Sequence, residues 1–117
     1  MKSITALILA AVTSTQELPT IDDADFTMSK YANKIDHFNY QDNRTYQQRY
    51  WVNDKYWTSE DEDGPFFLYL CGEWRCDVPS SKYPFMLGAS YGAKLLVLEH
   101  RYYGDSQPFT DWSLESL

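Results

Sequence analysis

Basic residues are scarce in this 117-residue chain: ten Lys and Arg stand against 17 Asp and Glu, the formal net charge is −7, and no basic cluster occurs anywhere. Nucleic acids and anionic membrane surfaces hold proteins by exchanging counterions for clustered Lys and Arg, so both are excluded as partners. Cysteine is limited to two residues, which excludes a disulfide-dense scaffold. Glycine and proline number five each and no heptad run is present, which excludes collagen-like and coiled-coil classes. No apolar run approaches the ~20 residues of a membrane-spanning helix. What the chain does have is aromatic mass, with four Trp, ten Tyr and six Phe in a sequence 44% apolar. That is the composition of a packed core, and the length allows one domain at most.

The first fifteen residues differ in kind from the rest. Lys2 gives a positive start, Ile4 to Val12 is uncharged and apolar, and small Ala, Thr and Ser residues follow. This is the pattern of a secretory signal peptide over residues 1–15, which implies a secreted or lysosomal destination. On an oxidising route Cys71 and Cys76 are expected to pair, either with each other or with cysteines outside this sequence. With no other Cys or His nearby they make a poor zinc site, and no metal or cofactor is implied. Asn43-Arg44-Thr45 is an N-glycosylation sequon of the kind found on surface turns.

Residues 16–44 are expected to be an N-terminal arm, in which Gln16 to Lys30 shows no sustained periodicity and is expected to form a loose, propeptide-like lead-in. From Thr45 to Val52, Tyr46, Gln48, Tyr50 and Val52 alternate with Gln47, Arg49 and Trp51, which predicts the first strand, with large side chains on both faces. The acidic run Glu60 to Asp63, closed by Gly64-Pro65, is a solvated loop without calcium-loop spacing. Phe66 to Cys71 and Leu95 to Leu98 are uninterrupted apolar runs, the signature of parallel strands buried on both faces. Between them Tyr83 to Ala93, with Pro84 at a first-turn position, predicts the crossover helix of a βαβ unit, weakened by Gly88 and Gly92. The fold class is α/β.

Gly88-Ala89-Ser90-Tyr91-Gly92 matches the G-x-S-x-G nucleophile elbow in letters only. An elbow stands between a preceding strand and a following helix, whereas here a Pro-started segment precedes and a strand follows at once. The acid and histidine nearest after Ser90 are Glu99 and His100, neighbours on a strand whose side chains face opposite ways. Ser90 is therefore read as an ordinary helix or loop serine. His37 is read as an ordinary packed or surface histidine, and the aromatic excess as core packing.

Four segments in a fixed order carry a resemblance: Lys34-Ile35-Asp36-His37-Phe38-Asn39, Thr45-Tyr46-Gln47-Gln48-Arg49-Tyr50-Trp51-Val52-Asn53, Gly64-Pro65-Phe66-Phe67-Leu68-Tyr69, and Leu98-Glu99-His100-Arg101-Tyr102-Tyr103-Gly104-Asp105-Ser106. They resemble the start of the serine carboxypeptidase family that contains lysosomal Pro-X carboxypeptidase, dipeptidyl peptidase II and thymus-specific serine protease, over about Tyr31 to Leu117. The resemblance implies an α/β-hydrolase fold with an inserted helical cap, and cleavage of peptides beside proline or other small residues by a Ser-His-Asp mechanism. It places all three catalytic residues beyond Leu117, so residues 45–117 are expected to be the first strands and crossover of a hydrolase domain truncated before its nucleophile elbow. The same alignment puts Ser90 in the variable helix ahead of the Glu-His-Arg-Tyr-Tyr-Gly strand.

Within this chain the resemblance implies supporting roles. The turn after Phe66 to Cys71 corresponds to where such hydrolases place one backbone donor of the oxyanion hole, which makes Gly72 and Glu73 the candidates. Relatives commonly read Gly-Gly-Glu-Gly there, whereas this chain reads Cys71-Gly72-Glu73-Trp74. His100 and Arg101 close the other strand at its carboxyl end and are candidates for bracing the site. The full-length parent would act on a peptide substrate. The rival readings are a non-catalytic secreted binding module built on the same fragment, and an esterase on the same fold.

Overall fold

The computed structural model describes residues 17–58, 63–78, 83–111 and 113–114. The expected signal peptide over residues 1–15 and the acidic positions Glu60 to Glu62 lie outside the described residues. A 3-10 turn, Asp23–Asp25, is capped by Asp22, whose side chain accepts from the Ala24 amide. Four strands follow: β1 (Thr27–Lys34), β2 (Thr45–Asn53), β3 (Phe66–Leu70) and β4 (Lys94–Leu98), with helix α1 (Tyr83–Ser90) between the last two. They form a mixed sheet in the order β1-β2-β4-β3. β2 is antiparallel to both β1 and β4, whereas β3 and β4 run parallel, Leu70 beside Leu98. A parallel pair needs a crossover, and α1 supplies it.

β1 corrects the expectation of a loose arm, because Thr27–Lys34 is a strand in register with Thr45–Val52, and Thr45 to Val52 is therefore not the first strand. The segment hides from periodicity because it sits at the sheet edge with no fully buried residue, so backbone hydrogen bonds rather than an apolar face fix it.

α1 lies across one face of the sheet. There Phe85, Ala89, Leu95, Val97 and Trp51 form the core, with Phe26 edge-on to Phe85 at 5.6 Å. Gly88 is what allows that approach: a Cβ at this position would come within 2.7 Å of Leu95 and 2.9 Å of Phe67. The helix ends in a Schellman closure, in which the Gly92 amide donates to the Ala89 carbonyl and the Ala93 amide to Gly88, with Gly92 at φ +65°.

The opposite face differs from the sequence expectation. Phe66, Leu68 and Leu70 are 58 to 60% exposed, while Phe67 and Tyr69, on α1's side, are half-buried. The continuous apolar run in β3 therefore has one covered face rather than two, because the single described helix crosses only one side.

Candidate functional site

The carboxyl ends of β3 and β4 lie at one edge of the sheet, where the amino-terminal half of β2 also arrives. Two loops leave from there. The first runs from Cys71, whose amide donates to the Leu98 carbonyl at 2.9 Å, through Gly72 and Glu73 to Cys76, and a Cys71–Cys76 disulfide closes it with the Cα atoms 5.8 Å apart. Inside this ring the Trp74 amide donates to the Gly72 carbonyl at 2.9 Å, and the Trp74 ring lies against Gly72 where a side chain would otherwise stand. Glu73 is exposed.

The second loop begins at Glu99, which is in phase with Leu95 and Val97 and so turns into the protein at 0% exposure. A buried carboxylate is tolerable only when paired and hydrogen-bonded. Glu99 receives Arg49 Nε at 2.8 Å on Oε2 and Arg49 Nη2 on Oε1, Ser106 Oγ at 2.6 Å on Oε2, and the Cys76 amide at 3.2 Å on Oε1. Burial alone would push the Glu99 carboxyl up. The bonds from Arg49, Ser106 and Cys76, with the Arg49 charge, outweigh it and hold the group below the usual carboxylate range. Arg49 is raised in turn, first by its bond to Glu99, against the opposing effect of burial.

The hub is tied on every side. The Arg49 amide donates to Ser106 Oγ at 2.9 Å, the Glu99 amide to the Arg49 carbonyl at 3.1 Å, and Gln48 Nε2 to the Glu99 carbonyl at 2.7 Å. Asp105 accepts both Arg75 guanidinium nitrogens, at 2.8 and 3.1 Å, and lies 3.4 Å from Arg49 Nη1, linking the two loops at the surface. Gly104 makes the closeness possible: at φ +54° it adopts a left-handed conformation, and a Cβ there would run into the Glu99 carboxylate.

The other candidates stand apart from this hub. His100 is exposed, with Nδ1 2.8 Å from the Arg101 carbonyl and its ring edge-on to Tyr103. Arg101 turns away to the amino-terminal side, donating to the carbonyls of Lys34 (3.2 Å) and Ile35 and stacking 5.2 Å over Tyr46 and Tyr102. Arg101 thus clamps the end of β1. Ser90 is the last residue of α1, and its hydroxyl donates back to the Leu87 carbonyl at 2.7 Å. Asn43 is exposed in the connection between β1 and β2. Among the described residues no group of three or more His, Cys, Asp or Glu is placed to hold a metal ion.

Sequence reasoning gave Arg49 and Ser106 no role and weighed Glu99 only as a triad partner. A usable signal was present. Arg49 shares the phase of Trp51 on β2, and Glu99 shares that of Leu95 and Val97 on β4, so opposite charges sit on two inward-facing positions.

Comparison with known proteins identifies the family of the chain. Residues 33–117 match the family described as serine carboxypeptidase S28. The chain is 45% identical over 76 residues to the thymus-specific serine protease of Homo sapiens, covering 63% of this chain and 14% of that protein. It is 39% identical over 83 residues to probable serine protease EDA2 of Arabidopsis thaliana, covering 71% and 17%. With the lysosomal Pro-X carboxypeptidase of Bos taurus it shares 34% over 102 residues, covering 83% and 19%. The chain therefore spans less than a fifth of the length of these curated relatives. The mixed sheet with its parallel β3-α1-β4 unit is compatible with part of a hydrolase fold, and the family match takes in β2, β3, α1, β4 and both loops. On that evidence the chain belongs to the serine carboxypeptidase S28 family.

Proposed function

We propose that this chain forms the amino-terminal strands of a serine exopeptidase that removes residues beside proline or other small residues, with its nucleophile elbow, aspartate and histidine lying carboxyl-terminal to Leu117. In this reading a serine, activated by a histidine that the aspartate orients, is acylated by the peptide carbonyl. The contribution of the described residues is the turn at Gly72 and Glu73, which presents a backbone N–H to the developing oxyanion. The observation that supports it is the meeting of the β3 and β4 loops at the carboxyl edge of a parallel pair, where open α/β sheets bind ligands, in a chain of a peptidase family.

A secreted or lysosomal destination fits the disulfide and the exposed sequon at Asn43, which would carry a glycan without disturbing the sheet. The test is to sequence the transcript beyond the Leu117 codon and express the full-length product. Labelling of one serine by a fluorophosphonate, with release of a free carboxyl-terminal amino acid from peptides ending in Pro-X, is expected. Release of amino-terminal dipeptides instead would move the assignment to a dipeptidyl peptidase, and a folded product that neither labels nor cleaves would overturn it.

A further inference from the structure

We propose that Glu99, fixed by Arg49 and Ser106, is the positioning residue for the Gly72–Glu73 turn. The inference rests on the reading that this turn donates to an oxyanion, and it adds the residue that holds the donor in place. An Arg–carboxylate pair taken out of water is at best a small net contributor to stability, so its place in the core calls for something beyond neutralisation. Of the groups donating to Glu99, Arg49 and Ser106 belong to the hub itself, whereas the Cys76 amide belongs to the disulfide ring that contains Gly72 and Glu73.

Arg49 Nη2 also reaches the Cys76 carbonyl at 3.4 Å, so both polar groups of the Cys76 backbone face the ion pair. The ring's other end is pinned by the Cys71 amide on Leu98, and the disulfide joins the two ends. Gly72 and Glu73 therefore hang between the strand hydrogen bond of Cys71 and the contacts of Cys76 with Glu99 and Arg49, and the Arg75–Asp105 pair ties the same ring at the surface. A displacement of Cys76 moves the turn without breaking the sheet. Because oxyanion donors act only when correctly placed, such a displacement lowers turnover rather than substrate binding.

The test uses the full-length enzyme, with active sites counted by fluorophosphonate titration. Glu99→Gln keeps the side-chain volume but removes the charge and one acceptor. It is expected to lower kcat per titrated site about tenfold to a hundredfold with KM nearly unchanged, and to weaken a peptide boronate, which mimics the tetrahedral intermediate, by the same factor. An unchanged kcat per titrated site and unchanged boronate affinity, even with fewer active molecules recovered, would assign the pair to folding alone and overturn the proposal. Should Glu99→Gln fail to fold, Ser106→Ala, which leaves the ion pair standing, must give a smaller fall in the same two quantities, and a flat result there overturns the proposal too. A folded wild-type protein that neither labels nor cleaves defeats the peptidase reading itself, a failure visible before any variant is made.

Discussion

The two faces of the sheet are made of similar residues and are in different states. On the face beneath α1, Leu95 and Val97 are fully buried, Trp51 is 8% exposed, and the far end is locked by the Arg49–Glu99 pair. On the other face Leu68 and Leu70 are 60% exposed, and Leu68 borders a shallow apolar groove that also includes Tyr31, Tyr50, Leu96 and Leu98. Apolar composition alone therefore does not say which side of a strand carries the stability. What separates the sides is a covering element, and on the covered side a polar lock whose members come from β2 and from the two loops at the carboxyl edge of the sheet.

The comparison breaks most sharply at the lock. Replacing Glu99 by Ala leaves the buried Arg49 guanidinium with only the half-exposed Asp105, 3.4 Å from Nη1, as a counter-charge, and leaves the Ser106 hydroxyl and Cys76 amide without their acceptor. A loss of about 3–5 kcal/mol is expected, measured by urea unfolding of the oxidised chain. A loss under about 1 kcal/mol would mean that water or another acceptor already serves Arg49, and that the covered face holds without the pair.

Acid tests the same lock more gently. Glu99 is held below the usual carboxylate range in the folded state, so the stability it contributes is fully present above the unfolded glutamate pKa and is lost as the pH falls through the depressed folded value. The difference in unfolding free energy between the wild type and Glu99→Gln should therefore narrow on acidification below the usual glutamate range. A gap that stays constant with pH would show that Glu99 is not the group titrating.

Gly104→Ala comes next. It places a Cβ against the Glu99 carboxylate at a backbone φ of +54°. A cost of about 1–3 kcal/mol is expected by thermal unfolding.

How far the sequence exposed these features depends on the kind of pattern each one leaves. The β3-α1-β4 unit was legible because continuous apolar runs and a proline-started crossover are local signals, and the structure keeps those elements to within a few residues at their ends. β1 was not legible, since its residues are mostly exposed and its order comes from pairing with β2, a contact between distant segments. The resemblance brought attention to the Gln-Gln-Arg-Tyr and Glu-His-Arg-Tyr-Tyr-Gly segments, but their roles emerge only when Arg49 and Glu99, fifty residues apart, are brought together. Local reading singled out His100 and Arg101, which follow the charged residue that turns inward. The two side chains point to the surface and to the end of β1.

The smallest expected effect sharpens the comparison from the open side. Leu68 is 60% exposed on the face that α1 does not cover, so Leu68→Ser removes little buried area and should change the stability of this chain by no more than about 0.5 kcal/mol. The same substitution in the full-length protein measures whether that face is covered there. If it is, burial of the Leu68 side chain makes the serine cost about 2 kcal/mol or more, and the ratio of the two values reports the cover directly. Equal, small effects in both proteins would mean that the open face stays exposed to solvent in the complete molecule. The apolar run in β3 would then owe its composition to something other than a second buried face.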